Sequence, residues 1–109
     1  MSLTTEWVTV ADVDEVKPGE RIVFEIGRDW VILFNVGGNY YAVEDRCSHE
    51  DEPLAEGFLS GHVLECPKHG ATFDITTGEH LSPPAVRPIK WYPARVEGDT
   101  VQIAISTRK

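Results

Sequence analysis

Cys47-Ser48-His49 and Cys66-Pro67-Lys68-His69-Gly70 are the two stretches that decide how this chain is read. They hold the only two cysteines in 109 residues, and each cysteine is followed closely by a histidine. Thiolate sulfur is a soft ligand and imidazole nitrogen a borderline one. Cys47, His49, Cys66 and His69 therefore make a donor set for zinc or for an iron–sulfur centre. A Cys47–Cys66 disulfide would leave both histidines unexplained, and a small secreted domain stapled by disulfides normally carries more cysteines.

Outward from these pairs the chain reads as strands and tight turns. Residues 20–26, 29–36 and 39–43 are rich in β-branched and aromatic types and are separated by Gly27-Arg28 and Gly37-Gly38. Beyond the first pair, strands are predicted over 58–60, 62–65, 72–75, 89–96 and 100–105, with Gly61, Thr77-Gly78 and Gly98-Asp99 as breaks. The one helical signal is Asp12, which can cap a turn over Val13–Val16 before Lys17-Pro18-Gly19 ends it. The expectation is an all-β chain, a small antiparallel sandwich or barrel. Segments 44–57 and 81–88 read as loops, and the donor pairs are expected on two loops facing each other at one end. Pro67 fixes one φ between ligands, and Gly70 lets the backbone pass close beneath a metal. His62 and His80 have no cysteine at ligand spacing and read as strand or surface residues. Trp7, Trp30, Trp91, Phe24, Phe34 and Phe58 read as core or half-buried strand residues.

Composition narrows the function. A chain of this length with no repeat or linker is one domain, 1–109. Eighteen acidic against ten basic side chains give a net charge of −8, which argues against nucleic acid and for a basic partner surface. Residues 1–6 lack a basic region leading into an apolar stretch, and no apolar run approaches roughly 18 residues. A cytoplasmic protein with no membrane segment is expected.

The order CxH then CxxH, with Gly70 and Thr72-Phe73-Asp74 following, resembles the Rieske [2Fe–2S] proteins. Over roughly residues 7–105 the chain is similar to the small ferredoxins that feed electrons to bacterial ring-hydroxylating oxygenases. The resemblance implies a Rieske-like antiparallel fold whose cluster-binding part spans about 44–86. It also implies one [2Fe–2S] cluster per chain, with Cys47 and Cys66 on one iron and His49 and His69 on the other. Two thiolates leave an oxidised cluster neutral where four would leave it at −2, so it accepts an electron more readily. The family range is about −150 to +300 mV.

High-potential members carry extra cysteines joined in a disulfide, and Ser and Tyr hydroxyls that donate to the cluster. Here Lys68, Ala71 and Phe73 stand at the corresponding places of the second motif, so a low potential is expected. Ser82-Pro83-Pro84-Ala85 matches the family's proline-rich covering loop. Solvent-facing imidazoles imply a potential that falls as pH rises. The implied partners are a flavin-containing reductase and a terminal oxygenase, with the chain a monomeric electron carrier and not an enzyme. Two other readings stay open: the small subunit of an assimilatory nitrite reductase, and a structural zinc module. The acidic group Glu44, Asp45, Glu50, Asp51, Glu52 and Glu56 is either a solvated face or a docking rim for basic partners.

Overall fold

The strand and turn signals produce an all-antiparallel β-fold. In a computed structural model, residues 3–47, 52–68, 70–83, 85 and 87–108 are described. The strands are β1 (Leu3–Asp12), β2 (Arg21–Ile26), β3 (Asp29–Val36), β4 (Asn39–Glu44), β5 (Phe58–Ser60), β6 (Val63–Glu65), β7 (Thr72–Asp74), β8 (His80–Ser82), β9 (Trp91–Tyr92), β10 (Ala94–Glu97) and β11 (Thr100–Arg108). They form three sheets with orders β1-β11-β10, β2-β3-β4-β9 and β5-β6-β7-β8. Among the described residues no helix is long and apolar enough to cross a membrane.

β3 explains the layering. Val31, Ile32, Leu33 and Phe34 are all buried, where a strand with one wet face would alternate. Side chains on a strand point alternately to opposite faces. Val31 and Leu33 enter a core with Val16, Ala42, Tyr92, Val101 and Ile103 against the first sheet. Ile32 and Phe34 enter a second core with Leu64, Phe73 and Ile75 of the third sheet region. The β2-β3-β4-β9 sheet is therefore the shared middle layer, and a four-stranded sheet of its own backs the donor loops. At the β3–β4 turn, Val36 pairs with Asn39 across Gly37 and Gly38, whose φ values are 61° and 96°. Both central residues of such a two-residue hairpin need positive φ, which glycine adopts without strain.

Several expectations are corrected. β1, ten residues paired to β11 along its length, was not expected at all. His80–Ser82 is a strand, so the loop expected from 81 begins later. The expected strand 89–96 is two strands parted at Pro93, which has no N–H to donate to a ladder. The helical turn is a 3₁₀ turn over Val13–Glu15, with the Glu15 carboxylate accepting from the Asp12 amide at 2.9 Å. Of the large aromatics, Phe34 is core, but Phe58 is 71% exposed and Trp7, Trp30 and Trp91 are also exposed.

Tyr92 lies in the core between the first two sheets, and its hydroxyl finds no hydrogen-bond partner among the described residues. Burial first, then the negative charges of Asp29 and Glu44, pushes its pKa far above the ordinary tyrosine range. The folded chain thus keeps this proton above about pH 10, where an unfolded tyrosine releases it. The unfolded state then binds fewer protons, so this stabilising contribution is complete below about pH 10 and is lost as pH rises from there toward the folded value. Tyr92→Phe is expected to leave stability at pH 7 unchanged, or raise it by up to about 1 kcal/mol, because it deletes an orphaned buried hydroxyl. Its alkaline destabilisation should be shallower than that of the parent, as urea unfolding at pH 7 and about pH 10.5 would show.

Candidate metal centre

The first donor loop leaves the end of β4 and is closed at its base by backbone amides. Glu44 N donates to Lys90 O at 2.9 Å and Asp45 N to Trp30 O at 2.8 Å, anchoring the departure point. Asp45 Oδ1 then accepts from the amides of Leu54 and Ala55 at 2.7 and 2.8 Å, so one carboxylate joins both ends of the loop. An inner rung, Cys47 N to Glu52 O at 2.8 Å, turns the Cys47 side chain inward, where it is 1% exposed.

The foot of this loop is bolted to the middle sheet. Arg21 Nη1 donates to the carbonyls of Ala55 and Gly57 at 2.9 and 2.8 Å, and its guanidinium lies 4.9 Å from the Phe34 ring centroid. Gly57 also touches the second loop's strand, because a Cβ there would collide with the carbonyl oxygen of Glu65, one residue before Cys66. Beyond β6, Cys66 N donates to Ala71 O at 2.7 Å and Gly70 N to Cys66 O at 3.0 Å, a tight turn that buries Cys66 to 1% exposure. Lys68 Nζ reaches Glu52 Oε1 at 3.1 Å, an ion pair between the two loops.

The two thiols therefore lie in one buried cluster with Leu54, Ala71, Phe73 and Ala85, and neither is in a disulfide. Two buried thiols on adjoining loops in an apolar shell suit a sulfur-ligated centre. His49 and His69, the other half of the expected donor set, lie outside the described residues, as do Glu50, Asp51 and Pro84. Ala71 and Phe73, both 0% exposed, present no hydroxyl to the thiols. Ala85 of the proline segment packs into the same cluster. His62 and His80 do other things. His62 packs edge-on to Tyr41 with ring centroids 5.1 Å apart, and His80 sits on β8 opposite Phe73.

Arg21 and the Asp45 bridge were not legible beforehand. Arg21 acts on carbonyls 34 and 36 residues away, and no local pattern marks such a contact. Arg21→Met keeps the stem over Phe34 but strips both hydrogen bonds. It should cost about 2 kcal/mol in denaturant unfolding, since bonds from a charged donor are the stronger kind. Arg21→Lys should recover part of that loss.

The geometry agrees with what comparison shows. Residues 6–93 match the family model of the Rieske [2Fe-2S] domain. The biphenyl dioxygenase ferredoxin subunit of Pseudomonas sp. (strain KKS102) is 42% identical over 95 residues, covering 86% of this chain and 87% of that protein. A chain from the complex of reduced oxygenase and oxidized ferredoxin in carbazole 1,9a-dioxygenase superposes with a TM-score of 0.82 at 33% identity, covering 90% of this chain and 92% of its own. A protein described as an NADH-dependent nitrite reductase small subunit, from Mycobacterium tuberculosis, shares the fold with a TM-score of 0.82, but at 24% identity that likeness extends to the fold alone. The chain belongs to the Rieske [2Fe–2S] family, among the ferredoxin components of ring-hydroxylating dioxygenase systems, and is an electron-transfer component carrying one [2Fe–2S] cluster rather than a catalytic subunit.

Proposed function

We propose that this chain accepts single electrons from a flavin-containing reductase and delivers them to a terminal non-haem iron oxygenase. It works in the cytoplasm as a monomer, with 1–109 as one domain and about 44–86 as its cluster-binding part. Cys47 and Cys66 would hold one iron of the cluster, and His49 and His69 the other. The cluster supplies a store for one electron. The observation that carries the ligand reading is the burial of both thiols in one apolar cluster without a disulfide between them.

The surrounding residues have distinct jobs in this reading. Leu54, Phe73 and Ala85 keep water from the sulfur side. Asp45 and Arg21 hold the first loop so that little rearranges when charge changes, which keeps an electron carrier fast. Ala71 and Phe73 withhold the hydroxyl donors that stabilise a reduced, more negative cluster, which supports a potential near the bottom of the family range.

The test is spectroscopic. The purified chain should be red-brown, give a rhombic resonance signal on one-electron reduction and show a midpoint below zero. A colourless, zinc-containing protein would overturn the reading, and a midpoint well above zero would overturn the low-potential part of it.

A further inference from the structure

A groove of about 300 Å³ opens beside the first donor loop. Trp30, half exposed, lines it together with the acidic residues Asp29, Glu44, Asp45 and Glu52 and the basic residues Arg28 and Arg46. Each carboxylate is already oriented from within the chain. Asp29 pairs with Lys90 at 3.5 Å, Glu52 with Lys68 at 3.1 Å, Glu44 accepts from the Lys90 amide at 2.8 Å, and Asp45 holds the loop base. An ionised carboxylate has about four lone-pair sites, so these contacts set direction and leave acceptors over.

An indole face is the best aromatic surface for a cation. This chain makes that contact internally where the Arg95 guanidinium sits 4.0 Å from the Trp7 ring centroid. Trp30 has no such cation over it among the described residues. Exposed tryptophans are also the side chains most enriched at the energetic centres of protein interfaces. The groove lies close to the redox site, because Trp30 O accepts from Asp45 N at 2.8 Å and Cys47 is two residues further, at most about 7 Å of chain.

We propose that this groove receives a lysine or arginine side chain of a basic electron-transfer partner. The cation lies over the Trp30 indole with Asp29 and Glu52 beside it. This deepens the electron-carrier reading above and rests on it. The net charge of −8 brings a basic partner toward the chain, and the groove fixes where its cation lands.

The test uses the reduced holoprotein mixed with ferricytochrome c, a basic haem protein, in a stopped-flow instrument. One electron passes from the reduced cluster to the ferric haem, and the second-order rate constant is read at low and high ionic strength. Trp30→Leu, which keeps apolar bulk but loses the π face, is expected to slow transfer about five- to tenfold at low salt. The visible spectrum and midpoint should be unchanged, and Trp30→Tyr should restore most of the rate. Asp29→Asn should flatten the salt dependence. Trp91→Ala, at an exposed tryptophan outside the groove, should match the parent.

A parental rate in Trp30→Leu, an equal loss in Trp91→Ala, or a parental rate that rises with salt would each overturn the groove proposal. The last outcome would point instead to an acidic partner meeting Arg28 and Arg46. A protein without the red-brown chromophore would overturn the electron-carrier reading itself, a failure distinguishable from any of these.

Discussion

Cys66→Ala is expected to yield a colourless protein with no resonance signal after reduction and electron transfer at background, and Cys47→Ala to do the same. The thiol at 66 is 1% exposed, and its neighbours in the buried cluster include Ala71, Phe73 and Ala85, none of which has a side chain able to ligate iron. The turn that holds Cys66 is made by its own amide and by Gly70, so the backbone should stay in place while the ligand is lost. Far-ultraviolet circular dichroism separates loss of ligand from loss of fold. The core of Val16, Leu33, Val101 and Ile103 lies between the other two sheets, away from the cysteines, and should preserve the strand signal. Because a bound centre stabilises only the folded chain, both variants should also melt at a lower temperature than the holoprotein. A red-brown Cys66→Ala protein would show that the ligand set has been misassigned.

Phe73→Ala should destabilise the chain by about 3–5 kcal/mol, a large share of the roughly 5–15 kcal/mol that holds a domain of this size. Phe73 is 0% exposed at the middle of β7, paired with Leu64 on one side and His80 on the other. It packs in the same cluster as Leu54, Ile75 and both cysteines, so truncation leaves a cavity beside the donor loops. Denaturant unfolding measures the first effect. Faster bleaching of the visible absorbance in the presence of a chelator measures the second. Phe58→Ala is the comparison, since that side chain is 71% exposed and its loss should change stability by less than about 0.5 kcal/mol. Equal destabilisation by the two substitutions would mean that the third sheet has no core around Phe73.

The two phenylalanines also show where reading the chain stops. β5 pairs Phe58 with Glu65 and Leu59 with Leu64, and only the latter pair faces the core. In a strand of three residues, alternation is too short to say which face is inward. β1 is a different case. Its mixture of Thr, Glu, Trp and Val carries a weak signal, and its place in the fold comes from the long pairing with β11 at the other end of the chain. Pro93 could have been read as a break between β9 and β10, because proline removes a ladder donor wherever it stands.

The acidic stretch after β4 illustrates a further limit. Its residue types suggest a solvated face or a docking rim, yet Asp45 turns its carboxylate inward to join the two ends of the loop. Glu52 crosses to the second loop and pairs with Lys68. Composition registers the charge of such residues but carries no information about which amides or cations they meet.

The donor types, their order and spacing, and the strand-and-turn rhythm around them were sufficient to point to the family and the all-β class. Those properties are local, being written in ligand softness, β-branched runs and glycines that permit particular turns. Only the tertiary structure decided that β3 is buried on both faces, that Arg21 bolts the first loop to the middle sheet, and that Trp30 stands exposed in a groove beside that loop. These depend on contacts between residues far apart in the chain, and the energy of such a contact exists only once the sheets have brought its partners together.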